Sequence, residues 1–347
     1  MSGKIKSIIR NIGIPRLTII TLLVVIYVTA FYLNLNVPGM LSDNLVRMGM
    51  NGVLVLAMVP GILVGTGLNF GLPLGVICGI LGGLISIELN LKGGLGFVVA
   101  ILASVPLATV TGYLYGKLLN RVKGSEMMVG TYVGFSVVSL MCIAWLVLPF
   151  KSDSIRWPIG EGLRTTIALT DYYDKILNRF MNFTIFGITV PTGLLLFFFG
   201  MCFIVYLFYR TKVGIAMIAT GSNPKFAKAS GIDVDKSRLI STIISTILGA
   251  IGILVYAQSY GFFQLYTAPL MMGFAAVAAI LLGGASAHNA KIFHVIFGVF
   301  IFQGLLLSAL PVANVIFPQG NLSEVMRVVV QYGIILYALT KAGGGGS

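Results

Sequence analysis

Residues 210–238 have the sequence RTKVGIAMIATGSNPKFAKASGIDVDKSR and separate two long apolar stretches of the chain, 191–209 and 239–258. Six of the 23 Lys and Arg residues lie in this segment. Pro224 suits the first turn of a helix and Gly231 suits the position just after a helix, so a short helix is predicted between them. A polar segment between two membrane-crossing stretches must lie in water, where a soluble partner can reach it.

The whole chain has the composition of an integral membrane protein. Of its 347 residues, 57% are hydrophobic and only 10% are charged, and the mean hydropathy is +0.99. Apolar stretches of about 20 residues recur, and each is long enough to cross about 30 Å of hydrocarbon as a helix. The net charge of +13 is spread between these stretches. This spread argues against a nucleic-acid partner and is typical of the cytoplasmic loops of a protein in a lipid bilayer.

We predict an all-α integral membrane protein with about ten transmembrane helices and no soluble domain. Residues 1–342 form its single transmembrane domain, and residues 343–347, Gly-Gly-Gly-Gly-Ser, are interpreted as an appended linker. Helices 2–5 and 7–10 would begin on opposite sides of the membrane, as the halves of an inverted repeat do. The predicted spans are 17–35, 46–65, 71–89, 95–119, 127–149, 191–209, 239–258, 268–285, 293–310 and 325–341.

The distribution of charge orients these helices. With the N-terminus in the cytoplasm, most Lys and Arg residues fall inside and most acidic residues fall outside. Ten spans then place both termini in the cytoplasm. The long loop at 150–190 is external, and its residues 171–183 have the spacing of an amphipathic helix on the membrane surface. This loop is either a packed connector or a docking surface for an external partner.

The sequence offers no catalytic or metal-binding constellation. The two histidines, His288 and His294, have no carboxylate or cysteine at ligand spacing, and the three cysteines lie in apolar stretches. Residues 112–117 lack the spacing and the Ser or Thr of a phosphate-binding loop. We therefore predict that the chain is not an enzyme and holds no metal or cofactor, so that any ATP would be bound by another subunit.

Ionisable residues of the spans all fall near predicted span ends, where a long side chain reaches water at little cost. They are Arg47, Glu88, Glu126, Glu324 and Arg327. A proton-coupled carrier usually needs a titratable group near the membrane centre, so this mechanism is disfavoured. Sodium coupling stays open, because backbone carbonyl groups and hydroxyls suffice to bind that ion.

Neutral polar and aromatic residues are the candidates for a translocation path. The glycine-rich stretch Gly65–Gly75 interrupts the apolar pattern, and irregular backbone inside a membrane is tolerated where it lines a polar cavity or is buried in protein. Aromatic rings and amides suit a neutral solute such as a sugar or nucleoside. Helix packing or interfacial anchoring is the alternative role for each candidate. The candidates are Thr66, Asn69, Phe70, Gln258, Phe262, Phe263, Gln264, Tyr266, Met271 and Gln303.

The stretch Gly221–Val234 resembles the coupling-loop signature of ABC importer permeases of the ribose/branched-chain amino acid type. The stretches Gly65–Gly75 and Leu282–Ser286 resemble two further segments of that family, in the right order along the chain. Asn69 stands where many members have an acid. The residues that match the coupling-loop signature in register are Gly221, Asn223, Ala227, Gly231, Ile232 and Val234.

This resemblance implies a permease subunit of an ATP-binding-cassette importer in the bacterial plasma (inner) membrane. Its partners would be a second permease subunit, identical or different, two cytoplasmic ATPase subunits that hold ATP and Mg²⁺, and an extracytoplasmic substrate-binding protein. The alternatives are a stand-alone sodium-coupled carrier or channel, and a membrane scaffold without transport. The implied ATPase-coupling residues are Gly221, Asn223, Pro224, Phe226, Ala227, Ser230, Gly231 and Ile232.

Overall fold

The computed structural model describes residues 14–158 and 160–316, and six further residues at 325, 328–329, 332–333 and 336. Most of this part of the chain is helical. The helices are α1 (Ile14–Tyr32), α2 (Val37–Leu56), α3 (Val59–Val64), α4 (Leu72–Glu88), α5 (Gly93–Arg121), α6 (Glu126–Val147), α7 (Ile176–Arg179), α8 (Thr192–Tyr209), α9 (Lys212–Ser222), α10 (Pro224–Ala229), α11 (Val234–Tyr260), α12 (Ala268–Leu282) and α13 (Ile292–Ile316). Four short strands, β1 (Thr166–Ala168), β2 (Phe183–Ile185), β3 (Ile188–Val190) and β4 (Phe262–Gln264), form the antiparallel pairs β1–β4 and β2–β3.

Six helical stretches within the described residues are long and apolar enough to cross a membrane. They are α2 taken with α3, α5, α6, α8, α11 and α13, while α1, α4 and α12 are shorter apolar helices. The six stretches and the three shorter helices together correspond to the first nine predicted spans. The tenth, 325–341, lies largely outside the described residues. The count of ten transmembrane helices and the inverted repeat of helices 2–5 and 7–10 are therefore not confirmed.

Helix α4 forms the centre of the bundle, because its sequence is apolar on every side. Nearly all of its residues are buried, and it packs against α5, α11 and α12. Glycines permit this close packing. A Cβ on Gly75 would lie 2.4 Å from the Thr246 carbonyl oxygen of α11, and one on Gly82 would lie 2.6 Å from the Ala100 carbonyl oxygen of α5. Small residues are what allows helices in a membrane to approach so closely.

Helix α2 begins at Val37, well before the predicted start of the second span. Asn36 caps it by accepting a hydrogen bond of 3.0 Å from the Gly39 amide, and a proline occupies the first turn. The polar residues 42–44 lower the hydropathy of this part, which is why the pattern places the span later. As a consequence, Arg47 lies in the interior of a helix, ten residues after its first residue, whereas the sequence pattern places it near the start of a span.

The 150–190 loop covers one end of the bundle, here called the loop end. The 210–238 segment lies at the opposite end, the segment end, because α8 connects the two. The amphipathic helix predicted at 171–183 is wrong, since only the single turn α7 is helical and Lys175 before it is left-handed, with φ 52°. Tyr173 is fully buried and donates a hydrogen bond of 3.2 Å to the Gly83 carbonyl oxygen. Burial raises the pKa of Tyr173, so this hydroxyl stays protonated.

Candidate functional site

Side chains cap the short helices of the 210–238 segment. Asn223 Oδ1 accepts a hydrogen bond of 3.0 Å from the Phe226 amide at the start of α10. Asp233 Oδ1 accepts one of 3.0 Å from an amide in the first turn of α11. Gly231, with φ 82°, turns the chain between these helices in a conformation that favours glycine. The short helix predicted between Pro224 and Gly231 is confirmed as α10.

Helix α10 projects into solvent, with one residue held against the bundle. Ala227 is fully buried, whereas Phe226 is 66% exposed. The half-buried Ile232 donates its amide to the Ala227 carbonyl oxygen at 3.0 Å and so closes the turn. An exposed aromatic ring on a projecting helix suits insertion into a groove of a soluble protein. The remaining neighbours of the ring are exposed as well: Pro224, Lys225, Lys228, Ser230 and Gly231.

Gly221, at the end of α9, lies directly against the last turn of α3 and the residue that follows it. A Cβ on Gly221 would lie 2.0 Å from the Leu63 carbonyl oxygen and 3.0 Å from the Gly65 amide nitrogen. Gly65 is left-handed, with φ 84°. The structure therefore brings the 210–238 segment into backbone contact with the Gly65–Gly75 break, two features that the sequence shows far apart.

Both polar atoms of the Asn69 side-chain amide, in this break, form hydrogen bonds. Its Nδ2 donates to Ser245 Oγ of α11 at 2.7 Å. Its Oδ1 accepts from the Tyr115 hydroxyl of α5 at 3.2 Å and from the Gly71 amide at 3.0 Å. The Ser245 hydroxyl donates onward to the Ala57 carbonyl oxygen at 2.6 Å. Asn69 thus ties the break to α5 and α11 near the segment end of the bundle.

The space beside Asn69 is closed to a solute. The cavity there has a volume of about 10 Å³, which is room for no more than one water molecule. Thr66, which also lines it, donates its hydroxyl to the Gly61 carbonyl oxygen at 3.0 Å. The carboxylate-bearing Glu126 contributes to the same wall. Two predicted path residues, Thr66 and Asn69, therefore lie at a constriction in this conformation.

A buried ion pair joins α6 to α11 beside this constriction. Arg238 Nη2 donates to Glu126 Oε1, and these side chains are only 11% and 13% exposed. Arg238 Nε also donates to Asn120 Oδ1 of α5 at 3.0 Å. A second pair nearby, Lys123 with Asp235 at 2.5 Å, is about half exposed. The ends of three helices thus meet in one network immediately after α10.

The cluster of predicted path residues between Gln258 and Tyr266 lies at the loop end, where it contacts the 150–190 loop. Gln258 is fully buried; its Oε1 accepts from the Leu177 amide at 3.2 Å, and its Nε2 donates to Asn178 Oδ1 at 3.1 Å. Phe263 on β4 is buried and packs edge-on against the Tyr173 ring, with centroids 6.4 Å apart. These contacts are the packing role that the sequence left open for both residues.

The other members of that cluster are less buried. Phe262 packs on the Tyr260 ring with centroids 4.7 Å apart, and Gln264 is exposed. The Tyr266 hydroxyl donates to a backbone carbonyl of the 150–190 loop at 3.0 Å. At 1.5 Å per residue, the stretch of α11 between this cluster and the contact with Asn69 is about 20 Å long. The structure therefore does not bring the two predicted clusters together.

Aromatic rings from three elements meet beside the break. The Phe70 ring lies 5.7 Å from Phe274 of α12, which lies 6.3 Å from Phe135 of α6. Met271, on the preceding turn of α12, is 58% exposed. Gln303 is buried on α13, which packs against α2 and α12. Of the predicted path residues, Phe70 and Met271 thus border the α6–α12 surface.

The exposed face of α6 carries hydroxyl groups, which the sequence-based prediction missed. Tyr132, Ser136 and Ser139 are exposed along it at helical spacing. Apolar residues such as Leu140 and Ile143 are exposed on α6 as well, and α8, another candidate membrane span, exposes Leu196 and Phe203. Hydroxyl side chains on a membrane helix favour contact with another helix over contact with lipid. Their spacing of four and three residues is the signal from which this face could have been found.

Comparison with known proteins places this arrangement in a family. The family model described as "Branched-chain amino acid transport system / permease component" matches residues 9–339. The chain is 23% identical over 249 residues to the nucleoside ABC transporter permease protein NupB of Lactococcus lactis subsp. cremoris. That match covers 69% of this chain and 64% of NupB, just under two thirds of its length.

Other relatives are also permeases. The chain is 25% identical over 250 residues to the ribose import permease protein RbsC of Haemophilus influenzae, and this match covers 72% of this chain and 70% of RbsC. It is 25% identical over 242 residues to the probable branched-chain amino acid transport permease protein LivH of Methanocaldococcus jannaschii, and this match covers 53% of this chain and 74% of LivH. No solved structure matches the chain. Since the family model spans nearly all of it, the chain belongs to the family of branched-chain amino acid transport system permease components.

Proposed function

We propose that this chain is the permease subunit of an ATP-driven importer that carries a neutral polar solute, a sugar or nucleoside, across a bacterial plasma membrane. The observation that carries the proposal is α10, a projecting helix with an exposed phenylalanine that is capped by Asn223 and held against the bundle by Ala227. Relatives named for nucleoside and ribose transport support the solute class.

In this proposal α10 receives the motion of a cytoplasmic ATPase subunit, which holds the ATP and Mg²⁺. Phe226 enters a groove of that subunit. Gly221 contacts Leu63 and Gly65 through backbone, so no flexible side chain absorbs a displacement between α9 and the break. A shift of α10 therefore reaches the constriction at Asn69 and can open it.

A second permease subunit, identical or different, covers the hydroxyl-bearing face of α6. With Phe70, Phe274 and Met271 beside it, this face lines a path between the two subunits. The path is closed at Asn69 in the present conformation. The segment end and both termini face the cytoplasm, and the 150–190 loop faces the substrate-binding protein on the other side.

Uptake into proteoliposomes tests the proposal. The chain is reconstituted alone and together with the ATPase and binding-protein subunits of its source organism, with radiolabelled uridine and ribose as probes. Uptake is expected only with the partner subunits and ATP. Uptake by the chain alone under a sodium gradient would instead establish a stand-alone carrier, and no uptake under either condition would favour a scaffold.

A further inference from the structure

A polar stripe with an arginine at its centre runs along α2. Asp43, Arg47 and Asn51 follow at intervals of four residues, which places them on one face of the helix. Each is at least partly exposed, and Asn51 Nδ2 donates to the Arg47 carbonyl oxygen at 3.0 Å. Arg47 lies near the middle of this 20-residue helix. A charged side chain inside a helical stretch that is long and apolar enough to cross a membrane is a candidate for a function.

Two tyrosines of α11 lie opposite this arginine. The helices touch where a Cβ on Gly252 would come within 2.9 Å of the Leu54 amide nitrogen. Arg47 lies about 10 Å from that contact, measured along α2 toward the loop end. In the same direction along α11, Tyr256 lies about 6 Å and Tyr260 about 12 Å from the contact. Arg47 therefore lies level with the two tyrosines, and at seven residues from Leu54 it lies on the same face of α2 as that contact.

The guanidinium and part of the Tyr260 ring are available to a ligand. Tyr256 and Tyr260 stack, with centroids 5.4 Å apart and planes inclined by 27°. Phe262 also packs on the Tyr260 ring, and Tyr260 nevertheless exposes 42% of its surface. Among the described residues, no hydrogen bond or ion pair engages the Arg47 guanidinium. Its N–H groups are donors only and require a partner that offers acceptors.

We propose that Arg47, Asn51, Tyr256 and Tyr260 form a subsite that binds the base of a nucleoside as it passes through the permease. The inference rests on the proposed function and selects the nucleoside within it. A planar guanidinium pairs with two adjacent acceptors, such as a carbonyl oxygen and a ring nitrogen of a base. Aromatic side chains stack on the flat base. A free sugar has hydroxyls that also accept from a guanidinium, but it lacks the flat aromatic face on which two tyrosines can stack. Asp43, one turn nearer the loop end, accepts hydrogen bonds from ribose hydroxyls.

Equilibrium binding of tritiated uridine to the full chain in lipid nanodiscs tests the subsite without any partner subunit. Arg47→Lys keeps the charge but loses the planar pair of donors. Tyr260→Leu removes a partly exposed ring and spares the core. Each variant is expected to weaken uridine binding at least about tenfold. Arg179→Lys, an arginine that is 71% exposed on the 150–190 loop, is the matched control and should bind as the wild type does.

Several results would overturn the subsite. They are an absence of uridine binding by the wild type, wild-type binding by both Arg47→Lys and Tyr260→Leu, or displacement of uridine by ribose as effective as displacement by unlabelled uridine. Chromatography of each variant in detergent shows whether it folds, and a folded Tyr260→Leu protein suffices for the test. ATP-driven uptake is measured separately, so failure of the proposed function is distinguished from failure of the subsite.

Discussion

Arg238 of α11 and Glu126 of α6 form an ion pair whose side chains are nearly buried, although 112 positions separate them in the chain. The pair lies immediately after α10 and at the first residue of the helix that exposes the hydroxyl-bearing face. Under the proposed function, it holds the helix that follows the coupling element to the helix that lines the path. Motion at α10 would then reach α6 without passing through the lipid-facing helices.

Removal of one partner of this pair is expected to destabilise the protein. Glu126→Gln leaves a buried guanidinium without a counter-charge and should lower the free energy of unfolding by about 3 kcal/mol. The exposed pair beside it supplies the control: Asp235→Asn, which loses the contact with Lys123, should cost less than about 1 kcal/mol. Thermal unfolding in detergent measures both. Equal unfolding temperatures for the two variants would contradict the structural importance of the buried pair.

Addition of a methyl group at the contact between α9 and the break is expected to disrupt coupling. Gly221→Ala places a carbon where the Leu63 carbonyl oxygen lies, and backbone on both sides cannot turn away. We expect transport per hydrolysed ATP to fall at least about fivefold, the lower range of coupling between distant sites. Gly200→Ala on α8 is the control, because nothing lies within 4 Å of its added carbon. Tight coupling in the Gly221 variant would exclude this contact as the route of motion.

The projecting ring of α10 is expected to matter for binding to the ATPase and not for folding. Phe226 is 66% exposed, so Phe226→Ala removes no core contact. Combined with Asn223→Ala, which also removes the cap of α10, it should weaken association with the ATPase by about 2 kcal/mol or more. Co-purification and stimulated ATP hydrolysis report the loss. Phe186→Ala changes a ring that is 95% exposed on the 150–190 loop and should leave both unchanged. Unaltered association in the double variant would refute the coupling role.

The sequence predicted those parts of the structure that depend on local pattern. Apolar length placed an apolar helix at each of the first nine predicted spans, six of them long enough to cross a membrane. Pro224 with Gly231 bounded α10, because helix ends depend on residues within one turn. The start of α2 was missed for the opposite reason: a polar turn at residues 42–44 precedes its apolar part, and only the cap at Asn36 marks the start. This error concealed the position of Arg47 in the interior of a helix.

Features that depend on tertiary contact were beyond a single sequence. The spacing of residues 171–183 favours a helix, but insertion of Tyr173 into the core and a left-handed Lys175 prevent it. Nothing local connects Glu126 to Arg238 or Gly221 to Leu63. Such pairs become visible only when the helices are assembled.

Under the proposed function Asn69 holds the path closed, and a graded series of variants can test this role. Asn69→Leu deprives Ser245 Oγ, the Tyr115 hydroxyl and the Gly71 amide of a hydrogen-bond partner. Each buried polar group without a partner lowers the stability of the protein by about 1–3 kcal/mol. Tyr115→Phe removes only one of these hydrogen bonds and is the milder, matched change. We expect ATP-driven uptake to fall at least about tenfold in Asn69→Leu and by less in Tyr115→Phe, because the break loses its tie to α5 and α11. Association with the ATPase should persist in both, since α10 is unaltered. Normal uptake by a folded Asn69→Leu protein would remove Asn69 from the path, and a larger loss in Tyr115→Phe would assign the constriction to the tyrosine.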